Sequence, residues 1–220
     1  MRCGGVAAVT ISLLALVAAV AACNREPPPG AGAVETTGVK TSRAGSIAAP
    51  TLTAFPGGAV LVGDIANCTA SRFEEGTKTA VWSVIVPLCD GVMETAVAPD
   101  SVSYVRTRRE LVAIGVNGQE SWRLTIGTEP LPETLLTPAV TLDSSVVVIT
   151  GTRSIVAYKS DRSQPWRFGV AEDEVLVASP IGSRGEGVYL LTNRALYNLG
   201  ADGALRFRRA LKPPSGVEGR

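Results

Sequence analysis

The sequence predicts an all-β fold of about four four-stranded antiparallel blades, and three observations point to that class. After Pro50 the chain breaks into short β-branched runs separated by turn residues, among them Val81 to Val86, Leu111 to Val116, Val146 to Thr150 and Val188 to Thr192. Short strands at close spacing are the pattern of antiparallel sheets. No segment carries a sustained apolar stripe at helical period. Finally, one pattern recurs about every 40 residues. The aromatic residues Trp82, Trp122, Trp166 and Phe207 stand 40, 44 and 41 residues apart, and Pro99, Pro138 and Pro180 fall between them at steps of 39 and 42. A fixed period of this length marks an array of like units, and three or four short strands per period is the content of a propeller blade. The expected architecture is a β-propeller-like array, a partial or small propeller, in residues 49–212.

The elements before it have a different texture. Met1-Arg2 is followed by an uncharged apolar stretch from Gly4 to Ala22, rich in alanine, that ends in Val20-Ala21-Ala22-Cys23. One positive charge, an apolar core and small residues at the end are the ordered parts of a secretory signal. The four closing residues resemble the lipobox of bacterial lipoprotein precursors. That resemblance implies removal of residues 1–22, a diacylglycerol thioether on Cys23, and a body held outside the cytoplasm on the cell membrane, or on an outer membrane where the cell has one. An uncleaved anchor helix is the alternative, since about 20 apolar residues span a bilayer. Residues 23–48 are rich in Pro, Gly and Ala without hydrophobic periodicity, with Pro27-Pro28-Pro29-Gly30 near their start. They read as a flexible tether.

Inside the repeats each copy carries a hairpin. Leu111 to Arg123 aligns without a gap on Ile155 to Arg167 and on Leu196 to Arg208. In each, an apolar strand runs into a turn such as Asn117-Gly118 or Asp202-Gly203, pairs that accept positive φ. The returning strand carries the aromatic residue. A blade alone cannot bury both faces of its sheet, so neighbours must stack. Trp82, Trp122, Trp166 and Phe207 are therefore expected to pack blade against blade. Residues 213–220 form a C-terminal tail.

Composition excludes several function classes. The chain contains no histidine, which removes histidine-based general bases, triads and zinc sites together. Beyond residue 22 it holds 20 basic and 20 acidic residues, no footing for nucleic-acid binding. Of four cysteines, Cys3 falls in the signal and Cys23 takes the lipid. Cys68 and Cys89 remain as a pair in an oxidising compartment, read as a disulfide. A redox or metal pair is the alternative, but their spacing matches no ligand knuckle.

The phrase Leu111-Val112-Ala113-Ile114 followed by Asn117-Gly118 and Trp122-Arg123, with its two variants, resembles the repeat of the PQQ-binding-like β-propellers over residues 100–212. That superfamily includes quinoprotein dehydrogenases and non-enzymatic lipoproteins. The dehydrogenases resemble one another in a central calcium with acidic and amide ligands and often a vicinal disulfide. Here Cys68 and Cys89 are not vicinal and no acidic cluster is legible, so no catalytic residue, metal or cofactor is expected. Arg123, Arg167 and Arg208 each follow the aromatic residue and form a candidate partner surface, with solvated or ion-paired arginines as the alternative. The expected function is a membrane-anchored, non-enzymatic scaffold that binds an envelope protein or cell-wall ligand, forming a homodimer if the propeller is open. A remnant or truncated quinoprotein-type enzyme, or a ligand-sensing domain, is the competing expectation.

Overall fold

A computed structural model describes residues 50–126, 131–183 and 187–211. All of them belong to one compact unit, Gly45–Arg220. The signal, Cys23, residues 24–48 of the tether and the tail 213–220 lie outside the described residues.

Sixteen strands among the described residues make four sheets of four. The first holds β1 (Thr51–Ala54), β2 (Val60–Asp64), β3 (Thr69–Phe73) and β4 (Trp82–Ile85). The second holds β5 (Glu94–Val97), β6 (Ser103–Arg106), β7 (Glu110–Ile114) and β8 (Glu120–Thr125). After a 3-10 turn at Glu133–Leu135 come β9 (Ala139–Val140), β10 (Val146–Gly151), β11 (Ser154–Tyr158) and β12 (Trp166–Gly169). The fourth holds β13 (Ile181–Ser183), β14 (Gly187–Leu191), β15 (Ala195–Leu199) and β16 (Leu205–Ala210). In every sheet each strand pairs antiparallel with its neighbour in sequence, so each is a simple meander. This is the four-bladed, propeller-like array that the repeat predicts.

The repeat is carried in the register as well as in the residues. Trp122 stands opposite Ala113, Trp166 opposite Ala157 and Phe207 opposite Asn198. The connecting turns also match. Gly118 and Gly203 have φ of +79° and +78°, and the third sheet holds Arg162 at +70° in the same place. Glycine takes that conformation without strain, whereas Arg162 carries a Cβ into it. The residue before it compensates in each turn: the Oδ1 of Asn117, Asp161 and Asp202 accepts a backbone N–H two positions on, at 3.1, 2.9 and 3.0 Å.

Stacking explains why the central strands read as unbroken apolar runs rather than as alternations. Every residue of β7 is buried. Val112 and Ile114 enter a core shared with Leu61 and Ala70 of the first sheet, while Leu111 and Ala113 face Val146 and Val148 of the third. Likewise Val147 and Ile149 turn the other way, toward Val188, Leu190 and Leu199 of the fourth sheet. Three sandwiched cores therefore bind four sheets. The end sheets differ: β1 and β4 alternate between half-buried and exposed residues, and β16 is exposed throughout.

Candidate binding surface

Three features concern binding: the tryptophans between sheets, the charged groups of the repeats, and a cleft where the inner strands meet. Each tryptophan lies on the outermost strand of its sheet, on the face turned to the next. Its indole N–H donates to a backbone carbonyl in the following sheet's last hairpin: Trp82 to Val116 at 3.1 Å, Trp122 to Ser160 at 2.7 Å and Trp166 to Ala201 at 2.7 Å. The rings of Trp82 and Trp166 rest on Gly118 and Gly203, where a Cβ would approach ring atoms to 2.5 and 2.6 Å. Glycine is required there for contact as well as for φ. A half-polar ring at an interface thus fills the gap and satisfies a turn carbonyl.

Phe207, the fourth aromatic residue of the series, departs from this pattern. No sheet follows it among the described residues, so it packs instead on Tyr189 of its own sheet, ring centroids 6.3 Å apart.

The three repeat arginines occupy equivalent places, opposite Val112, Val156 and Tyr197. Two of the three are taken up by ion pairs. Arg123 is held by Glu110 at 2.7 Å and Glu120 at 2.6 Å. Hydrogen bonding from Arg123 draws the Glu120 carboxyl below its usual range, and Glu120 in turn raises the guanidinium. Arg208 pairs with the buried carboxylate of Glu174, which also accepts from Thr192 Oγ1 at 2.6 Å. Burial opposes the Glu174 charge, but the bonds from Thr192, Arg208 and Tyr197 outweigh it, so its pKa falls below the ordinary value. Of the three, Arg167 alone is exposed with no ion pair among the described residues. Of the neighbouring arginines, Arg109 meets Asp90 at 3.4 Å. Arg106 is fully buried, and neither terminal nitrogen finds a hydrogen-bond partner. Burial lowers its pKa to about 10. Neither Arg106 nor Glu174 is marked by the repeat alignment, since burial of a single charge leaves no periodic signal.

Cys68 and Cys89 form a disulfide, with Cα atoms 5.6 Å apart. It fastens the residue before β3 to the connection between the first and second sheets, the region where the sequence repeat is weakest.

The inner strands β1, β5, β9 and β13 converge on an open cleft of about 330 Å³, lined by Ala54, Phe55, Val97, Leu142 and Ser183 among others. The third and fourth sheets come so close here that a Cβ on Gly182 would lie 2.4 Å from the Val140 carbonyl oxygen. Among the described residues the lining contains no ionisable or amide side chain. Among the described residues no three acidic, cysteine or histidine residues converge as metal ligands, and no helix is long and apolar enough to cross a membrane. Its described lining offers apolar contact together with the hydroxyls of Thr141 and Ser183.

No family model and no curated protein matches the chain. Solved structures do. BamB from Moraxella catarrhalis superposes with a TM-score of 0.59 at 16% identity, over 76% of this chain and 50% of that one. A catalytically inactive virginiamycin B lyase from Staphylococcus aureus, crystallised with quinupristin, gives 0.55 at 11% identity over 75% and 55%. A streptogramin B lyase gives 0.53 at 12% over 76% and 55%. At these identities the likeness establishes the propeller fold alone. It spans lyases and BamB alike, and the chain occupies only about half the length of each.

Proposed function

We propose that this chain is a lipid-anchored lipoprotein of the cell envelope whose stacked sheets form a rigid, non-enzymatic platform for a protein or cell-wall ligand. One observation carries the reading. Two of the three repeat arginines are spent on internal pairs, Arg123 with Glu110 and Arg208 with Glu174, whereas the inner cleft and the end sheets leave apolar side chains exposed, among them Leu142, Leu52, Ile85 and Ile181. Groups committed to internal pairs hold a scaffold in shape; open apolar surface recruits partners. The lipobox-like Val20-Ala21-Ala22-Cys23 supplies the attachment, with membrane lipid as the first partner through Cys23, and the structural likeness to BamB supports an envelope protein as the second. A quinoprotein-type enzyme is the competing reading, and it would need acidic and amide groups converging on the cleft; the described lining residues are apolar or hydroxyl-bearing.

The anchor and the platform are tested separately. Cys23→Ala is expected to abolish metabolic labelling by fatty acid and release the protein from membranes; unchanged labelling removes the lipoprotein reading. Leu142→Arg, on the exposed rim of the cleft, is expected to break a crosslinked complex with an envelope protein while leaving the circular dichroism spectrum intact. If crosslinking in intact cells yields no such complex, the platform reading falls.

A further inference from the structure

The end faces of the array are made like the faces buried inside it. On the fourth sheet, the strand register puts Ile181, Tyr189, Leu196, Phe207 and Arg209 on the face turned away from the third sheet. This is the aromatic-bearing face, the one that in the second and third sheets carries Trp122 and Trp166. On the first sheet, Leu52, Val60, Val62 and Ile85 lie on the face turned away from the second. This is the receiving face, the kind that the second, third and fourth sheets turn to their predecessors. Both are open: Ile181 is 66% exposed, Leu52 69% and Ile85 71%.

The local fit extends to the turn. In the interior, Trp82 and Trp166 rest on the positive-φ glycines of the next sheet's last hairpin. The corresponding connection of the first sheet, between β3 and β4, holds Gly76 at φ +74°, and nothing lies within 4 Å of the place its Cβ would take. Val81, at the end of that connection, is 56% exposed. Phe207 is thus an aromatic residue without a turn, and Gly76 marks a turn without an aromatic residue. Arg209 is exposed on the Phe207 face and Glu75 on the first sheet's connection, where Glu74 is already paired with Arg72.

We propose that these two faces are complementary halves of one sheet-to-sheet interface, completed head to tail by a second copy of this chain. Each copy offers both halves, so two copies satisfy both faces when the rotation between them closes, as the proposal requires. This inference stands apart from the platform reading, since it concerns the end faces and not the cleft.

The test is sedimentation of the full chain in density-matched detergent across the micromolar range. Wild type is expected at twice the monomer mass. Phe207→Lys and Val81→Glu, both at exposed positions and so retaining the wild-type circular dichroism spectrum, are each expected to weaken the dimer about 30-fold or more. An equimolar mixture of the two is expected to restore it, because one interface then pairs Lys with Glu and the other is wild type. A monomeric wild type would overturn the proposal and assign the faces to residues 1–49 or to a different protein. Failure of the mixture to recover would overturn the head-to-tail arrangement.

Discussion

Trp166 and Phe207 hold the same place in consecutive repeats, opposite Ala157 and Asn198 on the outermost strand, yet one is 9% and the other 43% exposed. The difference arises from the following sheet rather than from the residues. Trp166 has the fourth sheet's hairpin to lie on and a carbonyl to bond; Phe207 has only Tyr189 beside it. In a stacked array an aromatic residue gains most of its stabilisation from its neighbour repeat, so equal positions in sequence are unequal in energy.

The largest effect should separate these two positions. Trp166→Ala is expected to cost about 3–5 kcal/mol in chemical denaturation, as for large aromatic residues in cores, whereas Phe207→Ala measured on the dissociated monomer should cost under about 1 kcal/mol. Equal losses would mean that the end face is covered. Next in size, reduction of Cys68–Cys89 should destabilise by about 2–4 kcal/mol through the freedom regained by the unfolded loop, seen as a lower melting temperature in dithiothreitol. The cost should fall on the first sheet, with hydrogen exchange in β10 and β11 little changed. Arg106→Met should act in the opposite direction. Removing a buried guanidinium whose terminal nitrogens lack partners is expected to raise stability by about 1–3 kcal/mol, and a loss would reveal a ligand for that charge.

The smallest effect is that of pH at the fourth sheet. The carboxyl of Glu174 has a folded-state pKa below its unfolded value of 4.5. Its contribution is therefore present above about pH 4.5 and lost as pH falls from there through the folded value. Glu174→Gln should flatten the acid limb of a stability-versus-pH curve without shifting the neutral region in the same proportion. A curve parallel to wild type would show that the pair with Arg208 holds no charge-dependent stability.

The strands that carry side chains into two cores at once were the legible ones. Leu111 to Val116, Val146 to Thr150 and Ile155 to Tyr158 are apolar on both faces, and all three runs correspond to observed central strands. The innermost strands β1, β5, β9 and β13 left no such trace. Ala139–Val140 is two residues long and Ile181-Gly182-Ser183 contains a glycine, because these strands border the cleft and crowd one another there. In β3 the run Thr69-Ala70-Ser71-Arg72 is polar at alternate positions since only one face has a partner sheet. As for the candidate site, the disulfide was legible from cysteine count and compartment. The pairing of Arg123 with Glu120 on its own strand was legible as the ion-paired alternative. The pairs with Glu110 of β7 and with Glu174 of the connection after β12 were not, since those carboxylates come from elsewhere in the chain.

Because every sheet is a meander in which strands pair only with chain neighbours, the hydrogen-bonded network is written almost entirely in local contacts. Such a chain closes short loops before long ones and folds quickly for an all-β protein. In an array of like units of about 40 residues, order can nucleate where two neighbouring sheets meet and propagate from there to the next. The same modularity gives evolution a simple unit of change: adding or deleting one such stretch lengthens or shortens the stack by a whole sheet and leaves the remaining pairings as they were.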